Sequence, residues 1–375
     1  MWTASDYHHM SRALQLARRG LYSTDPNPRV GCVIVKDDVV LSEGWHQKAG
    51  QSHAEIEALN NTKQNQTSDN VSGATCYVTL EPCVHHGRTP PCTDSLINAG
   101  IKKVIAAVID PNPLVAGKGL QQLNEAGIET ASGLMEAEVA ELNPGFTMRM
   151  QHGRPFVRCK LAMSLDGKTA LHNGESKWIS SPESRMDVQK LRARSSAIMT
   201  GIGTVIADDP SMNVRLSESS EWAKCGRQPL RVVLDSELEI SPEAKILNVS
   251  GDVIIFHQSN DKNRKEQLEN IGAELVTVEE ARGSAFLKQV LNYLATEKEI
   301  NEILLETGST LAGEMLQAGF IDELIIYIAP ALFGQDAKSL FQLPMIEDMS
   351  DRISLDIADV RSIGKDIRIK ATVNR

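Results

Sequence analysis

Short apolar runs of strand length alternate with helical stretches along almost the whole chain. This alternation restricts the fold strongly, because helices that follow strands pack onto the faces of a sheet. The predicted strands of the first part are residues 30–35, 39–41, 74–80 and 104–108. Those of the second part are residues 156–161, 230–234, 252–256, 302–305 and 324–328. The pattern predicts an α/β fold for both parts.

Helical spacing of apolar residues and capping signals place helices between these strands. The predicted helices are residues 7–17, 53–60, 94–99, 120–126, 135–142, 183–194 and 285–294. Residues 61–72 are almost entirely polar and are predicted to form a surface loop.

Two turn signals, Asn143-Pro144-Gly145 and Gly153-Arg154-Pro155, interrupt the alternation near the middle of the chain. A chain of 375 residues is also longer than one compact domain usually is. We therefore predict two domains, residues 1–146 and residues 147–375.

The charge balance argues against nucleic acid as a partner. The chain has 39 basic and 49 acidic residues, a net charge of -10, which repels phosphate backbones. It has no stretch of the roughly 18 apolar residues that a membrane helix needs, and its N-terminus lacks a signal-peptide pattern. We expect a cytoplasmic protein that acts on a small molecule, with neither nucleic acid nor membrane as a partner.

The first half contains the residue types of a zinc deaminase. His53-Ala54-Glu55 opens a predicted helix, and Pro82-Cys83 and Cys92 follow a predicted strand. One imidazole and two thiolates fill three positions of tetrahedral Zn²⁺ and leave the fourth for water. Glu55 lies two residues beyond His53, roughly 200° around a helix, so it points away from the ligands but can still reach a bound water. It is the candidate proton shuttle.

The spacing of the two cysteines differs from the general deaminase signature. Eight residues separate Cys83 from Cys92, where the general signature has two. His85 or His86 could add a fourth ligand and close the site, which would make the zinc structural. Outside this group, Cys32 and Cys76 lie within apolar strands and are predicted to be core residues, and His46 is interpreted as a residue at a strand end.

The second half contains a candidate phosphate cradle at residues 306–313, where a strand, a Gly-rich turn and a helix start follow one another. A plain strand-to-helix turn capped by Thr307 or Ser309 explains the same residues equally well. Arg192, Arg194 and Arg215 could hold a phosphate, although a solvated helix face is the usual explanation for any one arginine.

The string TLEPCVHHGRTPPC at residues 79–92, together with HAE at 53, NPRVGCVIV at 27 and DPNPLVAGKG at 110, closely resembles the deaminase half of the bifunctional riboflavin-biosynthesis deaminase/reductase family. The eight-residue interval is a feature of that family. The resemblance implies a cytidine-deaminase-like three-layer domain in which His53, Cys83 and Cys92 bind zinc and Glu55 moves protons. It also implies that Asn27 lies in the substrate pocket.

The second half resembles the reductase half of the same family, which is similar in fold to dihydrofolate reductase and uses NADPH. The matching strings include KLAMSLDGKTA at 160, GESKWIS at 174, VQKLRARSSAIMTGIGTVIADDP at 188 and ETGSTLAG at 306. The resemblance implies NADPH contacts at Ala162, Trp178, Thr204, Asp208, Ser236, Gly308, Ser309, Thr310, Leu311, Ala312 and Gly313. It implies substrate contacts at Ser176, Arg192, Met212, Arg215 and Glu306. We add Lys160 as a candidate catalytic residue of the reductase.

The resemblance implies an enzyme that first deaminates a phosphoribosylamino-pyrimidine with zinc and then reduces its ribosyl side chain to ribityl with NADPH. We also expect a homo-oligomer. One alternative is a tRNA or nucleoside deaminase with an accessory domain, which would need a basic surface and stacking aromatic residues. Another is a binding module that uses zinc only for stability, which would need a fourth protein ligand.

Overall fold

The computed structural model describes residues 1–64, 71–84, 91–217, 219–279 and 283–374. The chain divides into two compact units, Met1–Gly153 and Arg154–Arg375. Among the described residues, no helix combines the length and apolar character that crossing a bilayer requires.

The N-terminal unit is built on a mixed five-stranded sheet of order β2-β1-β3-β4-β5. Strand β1 is antiparallel to β2 and β3, whereas β3, β4 and β5 are parallel. The strands are Gly31–Lys36 (β1), Val39–Trp45 (β2), Thr75–Leu80 (β3), Lys103–Val108 (β4) and Glu129–Ser132 (β5). The helices are Ala4–Arg18 (α1), Ala54–Gln64 (α2), Cys92–Asn98 (α3), Lys118–Glu125 (α4), Glu136–Ala140 (α5) and Pro144–His152 (α6).

Helices cover both faces of this sheet, which confirms the predicted three-layer fold. The α1 side chains Met10, Ala13 and Leu14 pack on one face. Ala54 and Ala58 of α2 pack on the other. A capping box between Thr3 and Asp6 starts α1, and the apolar face recurs at the predicted spacing.

Two boundaries differ from the sequence interpretation. The prediction that a loop begins at residue 61 is wrong, because α2 continues to Gln64. The side-chain amide of Asn61 donates to the Glu43 carbonyl. Residues 65–70 of the predicted loop lie outside the described residues. Asn143-Pro144 begins a helix instead of ending one, since proline is well suited to the first helical position. The N-terminal unit consequently extends through α6 to Gly153, past the predicted boundary at residue 146.

The C-terminal unit contains a nine-stranded sheet of order β11-β10-β9-β8-β12-β6-β13-β16-β15, and β14 pairs with β7 separately. The strands are Phe156–Ser164 (β6), Lys168–Ala170 (β7), Ala197–Gly201 (β8), Leu230–Leu234 (β9), Val253–His257 (β10), Glu274–Thr277 (β11), Glu302–Glu306 (β12), Glu323–Ala329 (β13), Lys338–Ser339 (β14), Leu355–Ile363 (β15) and Asp366–Val373 (β16). The helices are Pro182–Arg194 (α7), Ile202–Asp208 (α8), Lys262–Asn270 (α9), Gly283–Thr296 (α10) and Ser309–Gln317 (α11).

From β11 to β13 the strands of this sheet run parallel, and hydrophobic cores lie on both faces. Parallel strands place all their carboxyl ends at one edge, where ligands of open α/β sheets usually bind. The buried guanidinium of Arg158 on β6 pairs with Glu302 of β12 and Glu323 of β13, so the centre of the sheet is also tied by ion pairs.

Candidate functional sites

The predicted zinc ligands come together in the N-terminal unit. His53 immediately precedes α2, Cys83 lies three residues beyond β3, and Cys92 is the first residue of α3. The His53 Nδ1 atom is 3.3 Å from Cys92 Sγ and 3.5 Å from Cys83 Sγ. A tetrahedral zinc with ordinary bond lengths separates its N and S ligands by roughly 3.5 Å, so the three side chains fit this ion.

The surroundings of the Cys83 thiol favour its metal-binding form. A hydrogen bond from the Cys92 thiol, together with the His53 ring, holds the pKa of Cys83 below its ordinary value. Thiolate is the form that binds metal. Among the described residues the cluster comprises these three ligands, whereas His85 and His86 lie outside them.

Glu55 lies in the first turn of α2 and is almost fully buried. Burial raises the pKa of Glu55 to about 7, and its carboxyl group contacts the Cys92 thiol. A carboxyl group with a pKa near the working pH can both accept and release a proton. Its position and its pKa both suit the predicted proton shuttle.

His46 is a residue of this site that the sequence interpretation missed. Its Nδ1 donates to the Ser52 carbonyl at 2.9 Å, so its Nε2 accepts from the side-chain amide of Asn27 at 3.1 Å. Burial lowers the pKa of His46, which keeps the ring neutral and able to accept. His46 thereby orients Asn27. The available signal was the clustering of six of the nine histidines before residue 100.

Cys32 and Cys76 lie on adjacent strands, β1 and β3, and are fully buried in the core that α2 covers. Their sulfur atoms are 3.4 Å apart. Their placement agrees with the prediction that they are core residues.

In the C-terminal unit, a cavity of about 1560 Å³ opens at the carboxyl ends of the parallel strands. This volume exceeds the roughly 300–1,000 Å³ of an ordinary small-molecule pocket, which leaves space for a cofactor and a substrate together. Most residues predicted for the reductase site line this cavity. They are Lys160, Ala162, Ser176, Trp178, Arg192, Thr204, Asp208, Met212, Arg215, Ser236, Glu306, Gly308, Ser309, Thr310 and Leu311.

Two predicted cofactor contacts are placed elsewhere. Ala312 is fully buried in the core, and Gly313 is buried in α11. A Cβ atom at residue 313 would lie 2.1 Å from the Gln342 carbonyl oxygen, so this glycine allows the chain at Gln342 to approach the helix closely. The cradle therefore faces the cavity with residues 306–311.

A charged cluster lies in the cavity wall. Arg192 of α7 makes a two-point contact with Glu306 at the end of β12, with Nε–Oε1 and Nη2–Oε2 distances of 2.6 and 2.9 Å. Lys160 of β6 is the register partner of Glu306. Burial alone would raise the pKa of Glu306, but Arg192 outweighs it and the pKa falls. Arg192 is itself buried, so the solvated-face explanation is wrong for this residue.

Two family models match most of the chain. "Cytidine and deoxycytidylate deaminase zinc-binding region" covers residues 3–108, and "RibD C-terminal domain" covers residues 155–369. The riboflavin biosynthesis protein RibD of Escherichia coli is 46% identical over 368 residues, which are 96% of this chain and 98% of the relative. RibD of Haemophilus influenzae is 45% identical over 99% of this chain and 98% of the relative.

Solved structures give the same result over the full length. A RibD structure from Acinetobacter baumannii is 44% identical, covers 99% of both chains and has a TM-score of 0.90. The structure of a diaminohydroxyphosphoribosylaminopyrimidine deaminase/5-amino-6-(5-phosphoribosylamino)uracil reductase from Thermotoga maritima is 33% identical, also over 99% of both chains, with a TM-score of 0.86. The chain therefore belongs to the RibD family of bifunctional riboflavin-biosynthesis enzymes, with a zinc-dependent deaminase unit followed by an NADPH-dependent reductase unit.

Proposed function

We propose that the N-terminal unit hydrolytically deaminates 2,5-diamino-6-(5-phosphoribosylamino)pyrimidin-4-one, with His53, Cys83 and Cys92 as zinc ligands. The proposal depends on one observation above all: these three side chains converge while the buried carboxyl of Glu55 contacts the same cluster. When bound, zinc supplies a Lewis acid that makes water a nucleophile at neutral pH.

In this proposal the residues of the chain bind the pyrimidine and move its protons. Glu55 takes one proton from the attacking water and gives it to the ring nitrogen. It then takes the second proton from the hydroxyl group added to the ring carbon and gives it to the amine, whose bond to that carbon breaks and which leaves as ammonia. Asn27 contacts the pyrimidine, and its hydrogen bond with His46 fixes the direction of its amide group.

We assign the second step, reduction of the ribosyl side chain to ribityl, to the cavity of the C-terminal unit. The NADPH contacts are Ala162, Trp178, Thr204, Asp208, Ser236, Gly308, Ser309, Thr310 and Leu311. Two features of the cavity support them: backbone N–H groups at the start of α11 suit a phosphate, and the exposed Trp178 ring offers a stacking surface. Ala312 and Gly313 support this cradle from its buried side.

The proposed substrate contacts are Ser176, Arg192, Met212, Arg215 and Glu306. When bound, NADPH supplies a hydride to the sugar carbon that bears the amine. Lys160 gives a proton to the ring oxygen whose bond to that carbon breaks, and burial lowers the pKa of Lys160, which makes the proton easier to release. The register of Lys160 beside Glu306 supports placing both at the reacting end of the substrate.

We further propose that the protein is a cytoplasmic homo-oligomer. Reduced thiols, which the zinc site requires, are the ordinary state of cysteine in the cytoplasm. Strand β15 is the edge of the nine-stranded sheet and carries exposed apolar side chains, among them Leu355, Ile357 and Val360. An exposed apolar edge strand is a natural surface for pairing with a second copy.

The direct test is turnover of the phosphoribosylamino-pyrimidine by the wild-type protein with bound zinc quantified. We expect one ammonia released and one NADPH consumed per product, with about one zinc per chain. A protein that deaminates tRNA or a free nucleoside but not this nucleotide would contradict the proposal.

A further inference from the structure

The carboxylate of Glu81 lies two residues before the ligand Cys83 and is almost fully buried. Its Oε2 accepts from the backbone N–H groups of Asp110 at 3.1 Å and Gly117 at 2.8 Å. Its Oε1 accepts from those of Gly119 at 2.8 Å and Leu120 at 3.2 Å. One side chain therefore satisfies four backbone donors in the loop before α4 and the first turn of that helix.

Helix α4 is also hydrogen-bonded to the residues that follow the second thiolate ligand, Cys92. Gln122 of α4 accepts from the hydroxyl of Thr93 at 2.9 Å and donates to the carboxylate of Asp94 at 2.9 Å. Thr93 and Asp94 directly follow the ligand Cys92 in α3. The backbone N–H of Thr93 also donates to the carbonyl of Cys83 at 3.3 Å.

Close backbone packing completes this connection. A Cβ atom at Gly119 would lie 2.1 Å from the carbonyl oxygen of Pro82, the residue between Glu81 and Cys83. The first turn of α4 therefore packs closely against the backbone of Pro82, the residue before the ligand Cys83.

The distance between the two cysteines in the sequence explains why such a support is needed. When two residues separate a pair of thiolate ligands, local backbone geometry holds them together. Here eight residues intervene in the sequence, and the entropic cost of bringing two ligands together grows with the number of residues between them. Contacts from elsewhere in the N-terminal unit would offset part of this cost and help to fix the separation of Cys83 and Cys92.

We propose that Glu81 is a positioning residue of the deaminase: through α4 and Gln122 it fixes the two thiolate ligands at the separation that zinc requires. This inference rests on the proposed zinc role of His53, Cys83 and Cys92. Glu81 touches neither metal nor substrate, and it acts through the backbone of α4 and the contacts of Gln122.

The test replaces Glu81 by Gln, which has one carboxamide oxygen and an NH₂ group that cannot accept. Whichever way the amide is turned, its nitrogen faces two backbone donors. Glu125→Gln makes the same change at the exposed far end of α4 and is the matched control. The full-length proteins are loaded with Co²⁺, and the readouts are Co²⁺ affinity, the ligand-field absorption spectrum and NADPH-dependent reduction of deaminated substrate.

We expect Glu81→Gln to weaken Co²⁺ affinity about 10–100-fold and to shift the ligand-field bands, with the reductase rate unchanged. Glu125→Gln should match the wild type. A Glu81→Gln protein that melts at a lower temperature but keeps the wild-type affinity and spectrum would overturn the inference, because the residue would then be structural only.

Gln122→Leu is the second variant, in case Glu81→Gln leaves the N-terminal unit unfolded. It keeps every Glu81 hydrogen bond and removes the link to α3, so a smaller loss of Co²⁺ affinity with a spectral shift is expected. Wild-type affinity and spectrum in this variant would overturn the inference.

His53→Ala distinguishes failure of this inference from failure of the proposed zinc site. If His53→Ala leaves Co²⁺ binding unchanged, the proposed zinc site itself is wrong. If His53→Ala abolishes binding while Glu81→Gln matches the wild type, only the role of Glu81 is wrong.

Discussion

At the scale of single residues, the deaminase site contains a buried carboxyl group whose ionised form destabilises the folded protein. Glu55 is buried, and burial raises its pKa to about 7 from an ordinary value of 4.5. The ionised carboxyl is therefore less favourable in the folded protein than in the unfolded chain. A buried acid of this kind is more easily explained by proton transfer than by stability.

The metal-free protein should show the cost of this carboxyl as a pH dependence. Because the folded protein holds the Glu55 proton more tightly, the stability that this proton contributes is full below about pH 4.5 and is lost as the pH rises through about 7. Glutamine mimics the protonated form and does not titrate. The difference in free energy of unfolding between Glu55→Gln and the wild type should therefore grow by about 2–3 kcal/mol, in favour of Glu55→Gln, as the pH rises from 5 to 8.

Denaturant unfolding of both proteins in the presence of a chelator measures this difference, with Glu125→Gln as the surface control. A difference between Glu55→Gln and the wild type that stays constant from pH 5 to pH 8 would show that the pKa of Glu55 is not raised.

The sequence could reveal the site residues whose type and spacing along the chain already match a known metal-binding pattern. His53, Glu55, Cys83 and Cys92 form such a pattern, and the structure brings them together. His46 acts through Asn27, 19 residues away, so its role depends on a tertiary contact. Glu81 likewise accepts from groups 29 to 39 residues away, and no local pattern encodes that.

At the scale of elements, apolar runs predicted most of the buried strands, because a strand covered on both faces is apolar throughout, but the buried strand β8 (Ala197–Gly201) was missed. Strands β15 and β16 alternate apolar with polar residues, and β15 is largely exposed, so a search for apolar runs missed them. Asn143-Pro144 shows a different limit: the same residues suit a turn or a helix start, and tertiary packing decides between them.

Two glycines in helices of the C-terminal unit provide a matched test of the packing behind the cradle. Gly313→Ala places a Cβ atom 2.1 Å from the Gln342 carbonyl oxygen, so part of the chain must shift, at a cost of about 1–3 kcal/mol. Gly203→Ala in α8 meets no protein atom within 4 Å and should stabilise the unit by up to about 1 kcal/mol. Thermal unfolding distinguishes them, and equal melting temperatures would contradict the close approach.

At the scale of the whole molecule, each unit has its own sheet, its own cores and its own chemistry. Length predicted two domains. The boundary could not be placed to the residue, because α6 lies between the two turn signals and belongs to the first unit.

The proposed oligomer gives a prediction at this scale. Ile357→Lys places a charge on the exposed apolar edge of β15 and should lower the molar mass measured by sedimentation equilibrium. Val39→Lys, at an exposed apolar position of the N-terminal unit, is the control and should leave the mass unchanged. A monomeric wild-type protein, or an Ile357→Lys protein of unchanged mass, would contradict the β15 assignment.

The central claim is that one chain contains two chemically separate sites, and Glu55→Gln tests it most directly. Ammonia release from the phosphoribosylamino-pyrimidine and NADPH oxidation on the deaminated substrate are measured on the same preparation. We predict that ammonia release falls by at least about 100-fold, the contribution typical of a general acid-base group, while NADPH oxidation stays close to the wild-type rate. Equal loss of both activities would contradict the two-site account.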